Sequence, residues 1–159
     1  MEIKIEEDKN MNHHQIKLVI HPQTRHIAEK MIDILNDSLK NIKVYDDENN
    51  MYFIPVISII YIEIIEHHLF AYTKDRIYGL HYYSLKDFIH KQKLHHFCQI
   101  NAQTIVNIDY IVSYSIDEDS RRKIVLENNE KLIVNRSYKD QFEAAMKRKK
   151  KVVKSMSLS

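Results

Sequence analysis

From Ile42 onward the chain breaks into short apolar runs with a period of two, separated by clusters of turn-forming residues. Ile42-Lys43-Val44 and Met51 to Val56 flank Asp46-Asp47-Glu48-Asn49-Asn50. Ile57 to Ile65 is a run rich in isoleucine, interrupted by Glu66-His67-His68. Leu69 to Thr73, Lys74-Asp75 and Arg76 to Tyr82 spell a hairpin. Runs at 111–116, 123–127 and 131–134 are joined by Asp117 to Arg122 and by Asn128-Asn129. Side chains alternate across a strand, so period two predicts strands, and Asn/Asp clusters predict turns between them. Parallel neighbours need a crossover of about a dozen residues or more. The linkers here are shorter, so the expected architecture is mainly β, with antiparallel sheets.

Three helices are expected around these strands. Thr24 can cap a helix in which Ile27, Met31, Ile34, Leu35 and Leu39 follow helical spacing. Ser84-Leu85-Lys86-Asp87 resembles a capping box and opens a short helix ending near Lys93. Ser137 can cap a last helix from Tyr138 to about Lys150. Upstream of Ile42, Met1 to Glu7 alternates and Ile16 to Ile20 is a second strand candidate, so residues 1–43 read as a strand-strand-helix extension. The expected organisation is that extension, a β-rich domain over residues 44–146, and a basic tail over residues 147–159.

Composition removes several function classes. The single glycine, Gly79, excludes phosphate-cradling Gly-rich loops, dinucleotide turns and a Gly-x-Ser-x-Gly elbow. The single cysteine, Cys98, cannot form an internal disulfide, and a reducing, cytoplasmic setting is expected. No run reaches the roughly 20 apolar residues of a membrane helix, so no membrane insertion is expected. The net charge of +2 is uneven: residues 147–159 hold six Lys/Arg and no acid, whereas residues 1–50 are net acidic. Any contact with a polyanion must therefore come from local features.

The candidate functional residues each carry two readings. His13-His14, His67-His68 and His95-His96 are pairs, the last close to Cys98. Four such ligands could hold zinc, but the spacing fits no usual finger or ribbon. Turn and surface histidines, with Cys98 a small hydrophobe, are the plainer reading. No cofactor is expected. Gln99, Asn101 and Gln103 alternate with Cys98, Ile100 and Ala102. They are either the wet face of an edge strand or amides able to pair with adenine in a major groove. Arg121-Arg122-Lys123 is either a solvated charged turn or a phosphate contact. Arg136, at a strand-to-helix junction, is either a surface ion-pair partner or a guanine reader.

Order and residues together resemble the LytTR family of bacterial transcription regulators. Ile59-Ile60-Tyr61-Ile62-Glu63 is similar to the family's Ile-x-Tyr-x-Glu strand, and Tyr72-Thr73 to a strand ending in Thr. Ser84-Leu85 with Phe88 resembles its Ser-Leu helix. Phe97, Val106-Asn107 and Ile111 match its central signature; Leu126, Asn128 and Leu132 match its hairpin; Arg136 and Tyr138 match its closing motif. The resemblance runs from about Val44 to Met146.

The resemblance implies an elongated domain of small antiparallel sheets with short helices. It further implies a transcription regulator without catalytic activity, whose loops read the major groove of double-stranded DNA. Base-reading positions carry over to His67 or His68, to Asn101 and Gln103, and to Arg136, with Asn135 and Lys139 beside it and Arg121, Arg122 and Lys123 as further DNA-binding candidates. Two departures stand out. The family's frequent His-Arg-Ser is Asn101-Ala102-Gln103 here, and the Ser before the closing Arg is Asn135. The lost Arg removes a cation from that loop. A homodimer on repeated half-sites is expected from the resemblance alone. Residues 1–43 cannot supply a phosphorylatable receiver domain, so a stand-alone member is expected, controlled by an unknown regulatory protein or by its own expression level. The alternatives are a β-rich protein-interaction module that has lost DNA binding and, more remotely, a metal-dependent enzyme.

Overall fold

The structure, a computed structural model, describes residues 4–11 and 16–157, with side chains for all of these except Asp37 and residues 150–157. The elements are α1 (Arg25–Leu39), β1 (Asn41–Tyr45), β2 (Met51–Pro55), β3 (Ile59–Ile65), β4 (His68–Thr73), β5 (Ile77–Leu80), α2 (Leu85–Gln92), β6 (Phe97–Gln99), β7 (Thr104–Asn107), β8 (Ile111–Ile116), β9 (Arg122–Leu126), β10 (Lys131–Val134) and α3 (Lys139–Ser157). Single 3-10 turns precede α1, β3, β8 and α3.

Among the described residues the strands form two sheets. One has seven strands in the order β2-β1-β5-β4-β3-β7-β6, and the other has three in the order β10-β9-β8. Every pairing is antiparallel, as the short linkers require. Among the described residues the fold is mainly β with three α-helices, of which α2 is the shortest at 8 residues.

One apolar cluster joins Ile42, Val44, Ile59, Ile62, Leu69 and Ile105 of the large sheet to Leu85 and Phe88 of α2. A second joins Ile60, Tyr61 and Val106 of that sheet to Ile124 and Leu126 of the small sheet and to Phe142, Ala145 and Met146 of α3. A bulge between Ile59 and Tyr61 makes this sharing work. The extra residue in β3 lets Ile60 and Tyr61 both enter the second cluster while Ile59 and Ile62 enter the first. The Tyr61 ring then stacks on Tyr72 of β4 with centroids 4.1 Å apart. α2 begins as its sequence predicts: the Ser84 hydroxyl accepts from the Asp87 N–H at 3.0 Å, and Lys93 ends the helix in the left-handed region.

The N-terminal extension differs from expectation. Among the described residues only the helix of its three expected elements is seen; neither 4–11 nor 16–20 contains a strand. Ile5, Ile16 and Val19 stay largely exposed. Two short strands alone are marginal without a third strand or a helix to cover one face, and the edge of the large sheet beside α1 is already formed by β2. His13, His14 and residues 1–3 lie outside the described residues. α1 docks through Ala28 and its C-terminal end, where the Lys40 carbonyl accepts from Val56 N–H at 2.9 Å and the Lys40 ammonium donates to the Gln92 carbonyl. The last helix also starts differently. A 3-10 turn, Arg136–Tyr138, precedes α3; Ser137 is not its cap, and Asn135 precedes the turn without a side-chain capping bond.

Candidate nucleic-acid interface

Three loops meet at one end of the two sheets. The first is the tip of the β3–β4 hairpin. Ile65 pairs with His68, leaving Glu66 and His67 as a two-residue turn with both φ positive, 48° and 67°. A two-residue hairpin turn of this hand suits the twist of the strands, but Asn and Gly normally occupy it. Glu66 and His67 are therefore held in a sparsely populated conformation at an exposed tip. His68 is exposed as the first residue of β4.

The second loop joins β6 to β7. One reading of the alternation through Asn101 and Gln103 is the wet face of an edge strand, but β6 ends at Gln99. Residues 101–103 bend instead, because Ile100 N–H pairs with the Thr104 carbonyl at 3.0 Å and closes a tight loop. Asn101 shapes this loop. Its Oδ1 accepts from Gln103 N–H at 2.9 Å, and its carbonyl accepts from the Gln99 side-chain amide at 3.0 Å. Gln103 is exposed and Asn101 half-buried.

The third is the β10–α3 junction, residues 135–138. Its backbone is tied to the second loop by Asn135 N–H donating to the Ile100 carbonyl at 2.8 Å. The second loop is tied to the first by Ile64 N–H donating to the Gln103 carbonyl at 2.8 Å. Two backbone hydrogen bonds thus hold Asn101, Gln103, Asn135 and Arg136 next to the His67 hairpin. Asn135, Arg136 and Lys139 are all exposed. Gln141 of α3, which sequence reasoning passed over, adds a side-chain bond to the Gln99 carbonyl.

The basic triplet behind the β8–β9 turn divides. Arg121 is exposed but bound: its Nε lies 3.2 Å from Asp117 and its Nη2 2.7 Å from Asp119. Lys123 Nζ is 3.8 Å from Asp117. Arg122 departs from its expected role. It is 8% exposed and paired with Glu143 of α3, so it is an interior residue clamping the small sheet to the helix. The signal was present in sequence, since Arg122 shares the strand phase of Ile124 and Leu126. Burial raises Asp117, but the N–H and guanidinium of Arg121, with Lys123, outweigh it and hold the carboxyl below its usual range.

Among the described residues no group of three or more His, Cys, Asp or Glu is placed to hold a metal ion, and no helix is long and apolar enough to cross a membrane. Cys98 is buried.

A sequence model of the LytTr DNA-binding domain matches residues 49–147, more than half of the chain. The chain belongs to the LytTR family. It contains a DNA-binding regulatory domain, and DNA is its partner. Among solved structures, a domain described as the LytTr DNA-binding domain of a methyl-accepting/DNA response regulator from Bacillus cereus shares the fold, with a TM-score of 0.61 at 20% identity over 67% of this chain and 95% of that one. No curated protein matches.

The LytTR signature residues take distinct places. Asn107 is 2% exposed and cross-links strands: its Nδ2 donates to the Ile59 carbonyl at 3.0 Å and its Oδ1 accepts from Asp109 N–H at 3.1 Å. Tyr138 packs against the second core cluster. Arg136, by contrast, points outward, its Nη2 3.4 Å from the Asp119 carbonyl. The signature therefore mixes residues that hold the interior together, Asn107 and Tyr138, with one exposed at the surface, Arg136.

Proposed function

We propose that the chain is a cytoplasmic, sequence-specific transcription regulator that reads the major groove of duplex DNA with this loop end. The observation that carries the reading is the pair of backbone hydrogen bonds joining the three loops, Gln103 carbonyl to Ile64 N–H and Ile100 carbonyl to Asn135 N–H. They turn three separate loops into one rigid reading edge, and rigidity keeps the entropy cost of recognition low.

Arg136 is the guanine reader, because its planar fork can engage O6 and N7 together. The Gln103 amide suits adenine. Asn101 keeps only its Nδ2 for DNA, since its oxygen is used by the loop. His67 and His68 enter from the hairpin, and Lys139 and Asn135 meet phosphates flanking the groove. Two protomers occupy repeated half-sites.

A protein-contact role has support elsewhere in the chain. Ile32, Leu35 and Leu39 leave an exposed apolar stripe on α1, away from the loops. That stripe suits a regulatory protein and does not compete with the DNA reading.

Selection from a pool of random duplexes tests the proposal. The expected result is enrichment of one motif in two spaced copies, with affinity falling steeply as salt rises. Recovery of unenriched sequence would reduce the chain to a nonspecific binder, and no recovery would leave protein contact as its role.

A further inference from the structure

The candidate reading edge is not a basic surface. Asp117, Glu118 and Asp119 stand in the β8–β9 turn, and Arg121, Lys123 and Arg136 lie against it. The turn is built around Asp117, whose Oδ1 accepts from Asp119 N–H at 3.1 Å and Arg121 N–H at 2.8 Å. Its other oxygen takes Arg121 Nε, and Asp119 takes Arg121 Nη2 at 2.7 Å. One guanidinium is thereby engaged by two carboxylates, and Lys123 lies near the first of them. The same turn presents the Asp119 carbonyl to Arg136. Among the described residues neither Arg136 nor Lys139 is engaged by a carboxylate.

We propose that the acidic β8–β9 turn is a specificity device: Asp117 and Asp119 withhold Arg121 and Lys123 from DNA phosphates while the turn's backbone orients Arg136 toward the bases. This rests on the reading of the loop end as the DNA contact. Phosphate contacts carry affinity without sequence information. A cation at the groove edge raises binding to every duplex alike and erodes the ratio between correct and incorrect sites. Pairing two cations with resident carboxylates removes that contribution, because a phosphate must displace an anion already in place. Specificity is a difference of affinities, and a repulsive element raises it as an attractive one does. Asp117 and Asp119 are positioning residues in this account and touch no base.

The test uses the full chain and two duplexes, one carrying the selected motif and one scrambled. Affinity is measured across a salt series for wild type, Asp117→Asn/Asp119→Asn and Arg121→Ala. Asn at 117 keeps an oxygen to build the turn and replaces the one facing Arg121 Nε with an uncharged NH2 that cannot accept from it. Asp47→Asn/Asp75→Asn, in turns at the opposite end of the sheets, controls for net charge. The Asp117→Asn/Asp119→Asn variant is expected to bind scrambled duplex roughly fivefold more tightly, as release of an exposed ion pair allows. Its salt slope steepens by about 0.9 for each cation released, and its ratio of specific to scrambled affinity falls. Arg121→Ala leaves the slope as in wild type, because its guanidinium contacts no phosphate. An unchanged slope in the double variant, an equal change in the control, or a flatter slope in Arg121→Ala overturns the proposal while wild type still prefers the selected duplex. If wild type binds neither duplex, the DNA reading itself fails and the inference falls with it.

Discussion

Arg136 follows a strand, precedes a helix, and has its neighbour's N–H tied to the Ile100 carbonyl. The backbone is fixed and the side chain is exposed, the arrangement a base reader needs. Arg136→Ala is expected to lose roughly 1–3 kcal/mol on the selected duplex and much less on a scrambled one. Arg136→Lys restores binding to scrambled duplex better than to the selected one, because an ammonium cannot copy the fork. Titration of both duplexes with melting of the same proteins checks this; equal losses on the two would make Arg136 a phosphate contact. Cys98 behaves oppositely. Burial pushes its thiol from 9.0 up to about 11, against a smaller lowering by Arg148. A thiol raised on folding stabilises fully below about pH 9, and that contribution is lost as pH rises toward about 11. Native protein at pH 8 should react slowly with a disulfide probe. Cys98→Ala should cost roughly 1 kcal/mol and keep DNA binding; rapid labelling of the folded protein would show an open, reactive site.

Elements differ in how far their roles were legible. Hairpins β1–β2, β4–β5, β8–β9 and β9–β10 follow from period two and Asn/Asp-containing turns, and α2 follows from Ser84, whereas β3–β4 turns on Glu66-His67, which carries no such turn signal. The bulge at Ile60 was hidden, because a single extra residue leaves composition unchanged and shows only as lost alternation. A run of three cations suggests a surface for Arg122, whereas its strand phase and burial place it with Ile124 and Leu126. Breaking its pair with Glu143, itself partly exposed, should cost roughly 2–3 kcal/mol, somewhat below a fully buried pair. Arg122→Ala should therefore melt earlier yet keep the wild-type ratio of specific to scrambled binding; a changed ratio in folded protein would return it to the interface. The C-terminal helix has a boundary inside its basic run. The Lys149 ammonium donates to the Ile108 and Ile111 carbonyls at 2.8 and 3.3 Å, so it belongs to the folded domain. Removing residues 150–159, which include Lys150, Lys151 and Lys154, should weaken all duplexes similarly and flatten the salt slope by up to about 0.9 per lysine. An unchanged slope would mean the tail does not reach DNA. Cutting after Met146 should lower the melting temperature as well.

At the scale of the whole molecule, the strand pairings place the loops 66–67, 101–103 and 135–138 at one end, and the turns 46–50, 73–76 and 127–130 at the other. The central claim is that the first end, not the second, meets DNA. Family residues pointed to Arg136, Asn101 and the histidines, but no sequence pattern showed that the loops share a backbone hydrogen-bond network. That knowledge needs the register of β3 against β7 and the path from Val134 into α3. Amide hydrogen exchange of the full chain, free and saturated with the selected duplex, is the most direct test. Slowed exchange confined to residues 66–68, 101–104 and 135–141 is the predicted result. Protection at 46–50 and 127–130 instead, with those three loops unchanged, would contradict the account.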